Sequence, residues 1–260
     1  MAVALGVSGQ KYQTWKFATE FMVRKTFTKD QARLGAWTRD RVVKLGPTFI
    51  KLGQIVSTRS DIYPREFVKE LESLQDDVPS VPLGDTVDTS VFKTFDDIPY
   101  KSASIGQVHR ATLKTGEDVI VKVKRPHIYE TMKFDTDTLM DIVEFLESIG
   151  FDTGTGTSNV LQESVEYLLS ETDYGLEIRN ANMFREAMKD VPWITVPKVY
   201  HEYCTDDMIV MEYVGSQKLT ELEDPEINKK TVCKALINSY IIQTMEKGFF
   251  HADPHPGNLG

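Results

Sequence analysis

Near the end of the chain stands Phe250-His251-Ala252-Asp253-Pro254-His255-Pro256-Gly257-Asn258. An Asp two residues after a His, with an Asn five residues further on, has the spacing of a phosphotransfer loop. In such a loop the Asp accepts or orients the proton of an attacking hydroxyl, and the Asn ligates a magnesium ion on the phosphates. The prolines and the glycine disfavour a helix and stiffen the segment, so both side chains can face one cleft. His251, Asp253 and His255 are also ligand-rich enough for a metal-dependent hydrolase. Against that reading, no further His or Cys cluster in the sequence closes a first shell of ligands.

The loop gains weight from what precedes it. Lys122 lies in Val119-Ile120-Val121-Lys122-Val123-Lys124, a β-branched run ended by Pro126. Just upstream, Lys101-Ser102-Ala103-Ser104-Ile105-Gly106-Gln107 is a run of mostly small residues that enters another strand-like stretch. Each feature has a plain alternative. A lysine alternating with valines usually faces solvent, a Ser/Ala/Gly run is usually only a turn, and helical glutamates usually line a solvated face. The order is what points elsewhere. A small-residue turn, a strand lysine, a glutamate-bearing helix, a strand ending in Met211-Glu212-Tyr213-Val214, a helix and then His-x-Asp-x4-Asn is the sequence of parts in a protein-kinase site. On that reading Ser102, Ala103, Ser104 and Gly106 cover phosphates and Lys122 puts its ammonium on the α- and β-phosphates. Backbone groups of Glu212 and Val214 meet an adenine edge, Asp253 does the chemistry and Asn258 holds the metal.

The elements that must position these residues can be read from periodicity. From about residue 13 to 74 the chain reads as helices. Trp15, Phe17, Phe21, Met22 and Phe27 recur near helical spacing, and Leu34, Trp37, Val42 and Val43 mark a second amphipathic stretch. Pro47 suits the first turn of a third helix, and Tyr63-Pro64 opens a fourth with Phe67, Leu71 and Leu74. Residues 76–86, with Pro79, Pro82 and Gly84, read as a linker. Residues 108–113 and 119–124 predict a hairpin around Lys114-Thr115-Gly116-Glu117-Asp118. A helix is expected over 128–146, a glycine-rich loop over 150–158, and one continuous helix over 160–188. Two further strands are expected over 196–204 and 208–213, a helical turn near 219–222, and a helix over 229–247 that buries Ala235, Leu236, Tyr240, Ile241 and Met245. These elements predict an α+β class in three segments: helical 1–75, a sheet-bearing lobe 76–214, and the start of a helical lobe at 215–260.

Composition narrows the partners. The chain has 260 residues, 41% hydrophobic and 27% charged, with a net charge of −9. That is long enough for a sizeable core and ordinary for a globular protein. The acidic balance argues against a nucleic-acid binder, which needs a basic surface. Cys204 and Cys233 form no CxxC pair and read as structural thiols in a reducing compartment. The first residues carry no secretory signal pattern, and no apolar stretch is long enough to span a bilayer.

With these motifs in place, the sequence resembles the UbiB/aarF-domain family of atypical, protein-kinase-like proteins, to which the ADCK proteins belong. The resemblance covers about Leu45 to Asn258. Leu45-Gly46-Pro47-Thr48-Phe49-Ile50-Lys51-Leu52-Gly53-Gln54 is similar to the family's Lys-x-Gly-Gln helix. Ser102 to Val108 is similar to its alanine-rich replacement for a glycine-rich loop. Glu171-Thr172-Asp173-Tyr174-Gly175-Leu176-Glu177 is similar to its Glu-x-Asp signature with the αC glutamate just after. The resemblance implies a protein-kinase-like fold with an N-terminal helical extension over the cleft. It implies Lys122 as the phosphate lysine, Glu177 as its ion-pair partner, and Asp253 and Asn258 as catalytic aspartate and magnesium ligand. Lys51 and Gln54 would belong to the extension, which Glu171 and Asp173 would meet.

It further implies ATP and Mg2+ as cofactors and a role in isoprenoid quinone (ubiquinone) or other prenyl-lipid metabolism. The role would be that of an atypical kinase or ATPase, or of a nucleotide-binding pseudokinase scaffold for lipid-biosynthesis enzymes. Peripheral membrane contact and a bacterial, mitochondrial or plastid setting go with it. Lys101 departs from the small residue usual beside the loop. The second magnesium ligand of such sites should follow Asn258 by several residues. A chain ending at Gly260 is therefore expected to be a C-terminally truncated piece with an incomplete metal site and weak turnover.

Overall fold

The computed structural model describes residues 2–75, 79–83, 87–150, 157–215 and 228–251. The expected helical turn at 219–222, and Asp253 and Asn258, lie outside them. The chain divides into two compact units. The first comprises Met1–Val87, Ile98–His109 and Lys122–Asp173; the second comprises Asp88–Asp97, Arg110–Val121 and Tyr174–Gly260.

The first unit opens with four helices, α1 (Ala2–Phe27), α2 (Gln31–Leu45), α3 (Pro47–Ser57) and α4 (Arg65–Glu72). Local chemistry sets their ends. Asp30 caps α2 by accepting the Arg33 N–H at 2.9 Å. Gly46 ends α2 at φ 108°, a left-handed value that favours glycine, and Pro47 then starts α3. The apolar faces close on one another: Leu34, Val42, Phe49, Ile50, Phe67, Leu71 and Leu74 form one buried cluster, with Phe17, Phe21 and Trp37 packed against it. Two glycines permit this closeness. A Cβ on Gly35 would stand 2.8 Å from the Phe67 carbonyl oxygen, and one on Gly53 2.5 Å from Leu74 Cδ1. The aromatic stripe read in the sequence thus mostly fills a helical core, though Phe27 at the end of α1 stays exposed.

Helices α5 (Ile128–Ser148) and α6 (Thr157–Ser170) complete this unit. A buried polar junction fixes α5 to the first helices. The Asp135 carboxylate, with no exposed surface, accepts the Thr48 hydroxyl at 2.6 Å and the Gln10 amide at 3.1 Å. The same amide donates to the Leu45 carbonyl at 3.0 Å.

The sheet has the order β1-β3-β4-β5, with β2 pairing only with β3. Its strands are β1 (Phe92–Phe95), β2 (Lys101–Ser102), β3 (Gly106–Leu113), β4 (Asp118–Lys124) and β5 (Met208–Glu212). The predicted hairpin is β3–β4, and Gly116 at φ 108° makes its turn. Both β1 and β2 run antiparallel to β3 and were not foreseen, since each is too short to show a period.

In the second unit α7 (Tyr174–Met188) packs Tyr174, Ile178 and Ala181 with Val199, Cys204, Ile209 and Met211. Three expectations need correction. The helix expected over 160–188 is broken, because Glu171, Thr172 and Asp173 form a turn in which the Thr172 hydroxyl bonds the Leu169 carbonyl at 2.7 Å. The strand expected over 196–204 reduces to a single bridge from Val199 to Met211 followed by a 3-10 turn, His201–Tyr203. Helix α8 (Lys229–Ile241) ends on an exposed Ile241 and passes into a π-helical turn, Ile242–Lys247, which buries Gln243 and leaves Met245 exposed. A π-turn changes the residue spacing, so a face counted at α-helical period no longer points one way. Cys233 is likewise exposed, whereas Cys204 is half-buried. Its thiol donates to the Tyr200 carbonyl and accepts the Val210 N–H, both at 3.3 Å.

Candidate nucleotide site

The small-residue run folds as a tight hairpin. Lys101 pairs with Val108 and Ser102 with Gln107, and the Ala103 N–H closes the turn on the Gly106 carbonyl at 2.8 Å. Ser104, Ile105 and Gly106 are buried, while Lys101 and Ala103 point outward. Ser102, Ala103, Ser104 and Gly106 are therefore brought together in one turn. Among the described residues, no acceptor takes the backbone N–H of Ser104 or Ile105. Free N–H groups in a tight turn are what an anionic phosphate requires.

Two side chains that sequence reasoning gave no role hold this turn in place. Arg125, at the end of β4, donates Nε to the Ala103 carbonyl at 2.9 Å and Nη2 to the Ser102 hydroxyl at 3.0 Å and the Pro79 carbonyl at 2.7 Å. Its backbone N–H bonds the Ile105 carbonyl at 3.0 Å. Gln107 exchanges two hydrogen bonds with Val81, giving Nε2 to the carbonyl at 2.7 Å and accepting the N–H at 2.8 Å. The only sequence signal for Arg125 was an arginine wedged between a strand and Pro126.

Lys122 sits on β4, whose Val119, Val121 and Val123 are fully buried on one face. Lys122 is on the other face and is half-buried, as are Ile120 and Lys124 beside it.

The Lys51 ammonium lies 2.7 Å from the Glu171 carboxylate. Both side chains are largely withdrawn from water, at 24% and 18% exposed. Lys51 is on α3, and Glu171 follows α6 directly. Gln54, one turn on from Lys51, gives its amide to the Leu74 carbonyl at 2.8 Å and so holds α3 to the turn after α4. Asp173 is exposed.

The remaining site residues lie in the second unit. Glu177 is half-buried in the first turn of α7. Glu212 ends β5, where its N–H bonds the Lys198 carbonyl at 2.8 Å and its carboxylate accepts the Lys198 N–H at 3.0 Å. The Tyr213 N–H bonds the Asp118 carbonyl at 3.1 Å, and the Arg110 guanidinium lies 4.1 Å over the Tyr213 ring. Val214 emerges from the sheet, partly exposed. His251 is held through its N–H on Gln243 Oε1 at 3.0 Å. Among the described residues there is no His, Cys, Asp or Glu cluster able to hold a metal, and no helix is long and apolar enough to cross a membrane.

A helical N-terminal region followed by a sheet with a lysine-bearing central strand is the α+β architecture of protein-kinase-like proteins. Residues 74–260 match the ABC1 atypical kinase-like domain, and the chain belongs to that family, the one that includes UbiB. It is 38% identical, over 94% of its length and 37% of the relative's, to the protein Activity of bc1 complex kinase 7, chloroplastic, of Arabidopsis thaliana. It is 34% identical, over 86% of its length and 45% of the relative's, to a probable protein kinase UbiB of Pseudomonas paraeruginosa. Among solved structures it is similar to the complex of Rv3197 with erythromycin from Mycobacterium tuberculosis. That match has a TM-score of 0.54 and 29% identity, over 65% of this chain and 42% of the other. The chain thus spans less than half the length of these relatives.

Proposed function

We propose that the chain is the nucleotide-binding portion of an atypical kinase or ATPase that takes ATP with Mg2+. The observation that carries this reading is the Ala103–Gly106 turn, whose Ser104 and Ile105 N–H groups no described residue accepts, in a sheet whose next strand carries Lys122. Peptide N–H groups and one ammonium suit the phosphates of a nucleotide. Glu212 and Val214 are read as the adenine-facing backbone, Glu177 as the carboxylate that orients Lys122, and Asp253 as the group that takes the proton of the attacking hydroxyl. Asn258 would hold magnesium, which neutralises phosphate charge when bound.

The kinase names of the relatives support a phosphotransfer class. Membership of the family of UbiB makes isoprenoid quinone (ubiquinone) or other prenyl-lipid metabolism, at a membrane surface, the setting proposed. Titration calorimetry with ATP–Mg and ADP–Mg tests the reading. Binding is expected for the unaltered protein, with at least a roughly tenfold loss in Lys122→Ala, the scale of one lost charge-assisted contact. No heat of binding with either nucleotide would overturn it.

A further inference from the structure

Arg125 is a buried cation with no carboxylate partner among the described residues; it is 9% exposed, and burial lowers its pKa. Its charge is spent on uncharged oxygens, those of Ala103, Ser102 and Pro79. Desolvating a guanidinium to bond it to neutral oxygens is costly, so an arrangement that keeps one needs a reason beyond packing. The reason lies in where the turn's carbonyls point. Ala103 O is held by Nε and Ile105 O by the Arg125 backbone, while Gly106 O is held by the Ala103 N–H. Carbonyl oxygens repel a phosphate and N–H groups attract it. Tying the Ala103 oxygen back into the protein fixes the peptide plane that presents the Ser104 N–H, and holding the Ile105 oxygen fixes the plane that follows the one carrying the Ile105 N–H.

From this geometry we infer that Arg125 is a positioning residue for nucleotide. With Gln107 it forms a clasp that shapes the 103–106 turn and fastens segment 79–83 to it. The inference rests on the nucleotide reading above. It adds that the grip on phosphate is set by a residue that never touches it. It also makes segment 79–83, which follows the helical extension, part of that grip. Lysine cannot replace Arg125, because an ammonium lacks the planar fork that reaches several acceptors at once.

The test uses the whole chain in two independent measurements. Hydrogen exchange without nucleotide reads the Val81 N–H, which Gln107 protects, and the Ala103 N–H, which the Gly106 carbonyl holds. Calorimetry reads ADP–Mg and ATP–Mg affinity. In Arg125→Gln, exchange at the Val81 and Ala103 N–H groups is expected to rise at least tenfold, and affinity to fall about tenfold, which is about 1.4 kcal/mol. Arg125→Lys is expected to behave alike and serves if the glutamine variant does not fold. Gly35→Ala, a helix-packing variant remote from the turn in sequence, controls for lowered stability and is expected to bind nucleotide normally. Affinity in the Arg125 variants no lower than in Gly35→Ala overturns the positioning role. Unchanged exchange at Val81 overturns the clasp itself. Failure of the unaltered protein to bind nucleotide overturns the parent reading, and the exchange result still decides the clasp.

Discussion

Lys51 on α3 and Glu171, just past the end of α6, meet at 2.7 Å, and neither side chain is more than a quarter exposed. The pair therefore differs from the open one between Lys133 and Asp137, whose side chains are 52% and 61% exposed. Exposed pairs are screened and contribute little, whereas a pair withdrawn from water keeps more of its Coulomb attraction but strands a charge when one partner goes. A double-mutant cycle of Lys51→Met and Glu171→Gln should give a coupling of about 1–2 kcal/mol. Denaturant midpoints of the four proteins measure it. A coupling indistinguishable from zero would show that the two are neighbours without interaction.

The helical core makes a second, sharper expectation. Alanine in place of a helical glycine ordinarily gains about 1 kcal/mol from propensity. At Gly35 the new Cβ would press on the Phe67 carbonyl oxygen at 2.8 Å and Glu70 Cβ at 2.9 Å. Overpacking of that kind costs about 1–3 kcal/mol, and a helix backbone cannot step aside, so the clash wins. At Gly53 the obstacle is the tip of Leu74, which can rotate. Urea unfolding should rank Gly35→Ala below Gly53→Ala, and the reverse order would contradict the packing.

How much of this was legible in the sequence follows from the range of each signal. The second half of α1, helices α2 to α5 and the β3–β4 hairpin announce themselves within a few residues, through apolar spacing, caps and a Gly turn, whereas the start of α1 at Ala2 was not read. The break at Glu171 to Asp173 does not, because polar residues suit a helix surface as well as a turn. The reach of Arg125 to Pro79, or of Asp135 to Thr48, joins positions far apart in the chain, and neither residue differs in type from a surface one. Lys51 and Glu171 were singled out only through resemblance to a family. Their contact appears once the helices are folded.

Asp135 supplies a pH prediction. Burial raises its pKa, and the bonds from Thr48 and Gln10 oppose that shift without cancelling it. Its folded pKa therefore lies above the unfolded value of about 3.9. In that window the native state binds more protons than the unfolded one, so this group's contribution is largest below the unfolded pKa and is lost as pH rises through the folded one. Asparagine keeps an acceptor for Gln10 and offers Thr48 a donor, without a charge to bury. Relative to the unaltered protein, Asp135→Asn should gain stability as pH is raised from about 4 towards 7. Melting both proteins across that range tests the sign, and a difference independent of pH would refute it.

The two thiols should separate chemically. Cys233 is exposed on α8, so its thiolate is open to reagents. Cys204 is bonded to the Tyr200 carbonyl and the Val210 N–H, and burial raises its pKa. Reaction goes through the thiolate, so a raised pKa and restricted access both slow it. In the native protein a neutral disulfide reagent should modify one thiol at least about tenfold faster than the other. Cys233→Ser should remove the fast phase, and denaturant should make Cys204 react as quickly. Two equally fast thiols in the native state would mean that the contact between Cys204 and β5 opens readily, loosening the same strand that ends at Glu212.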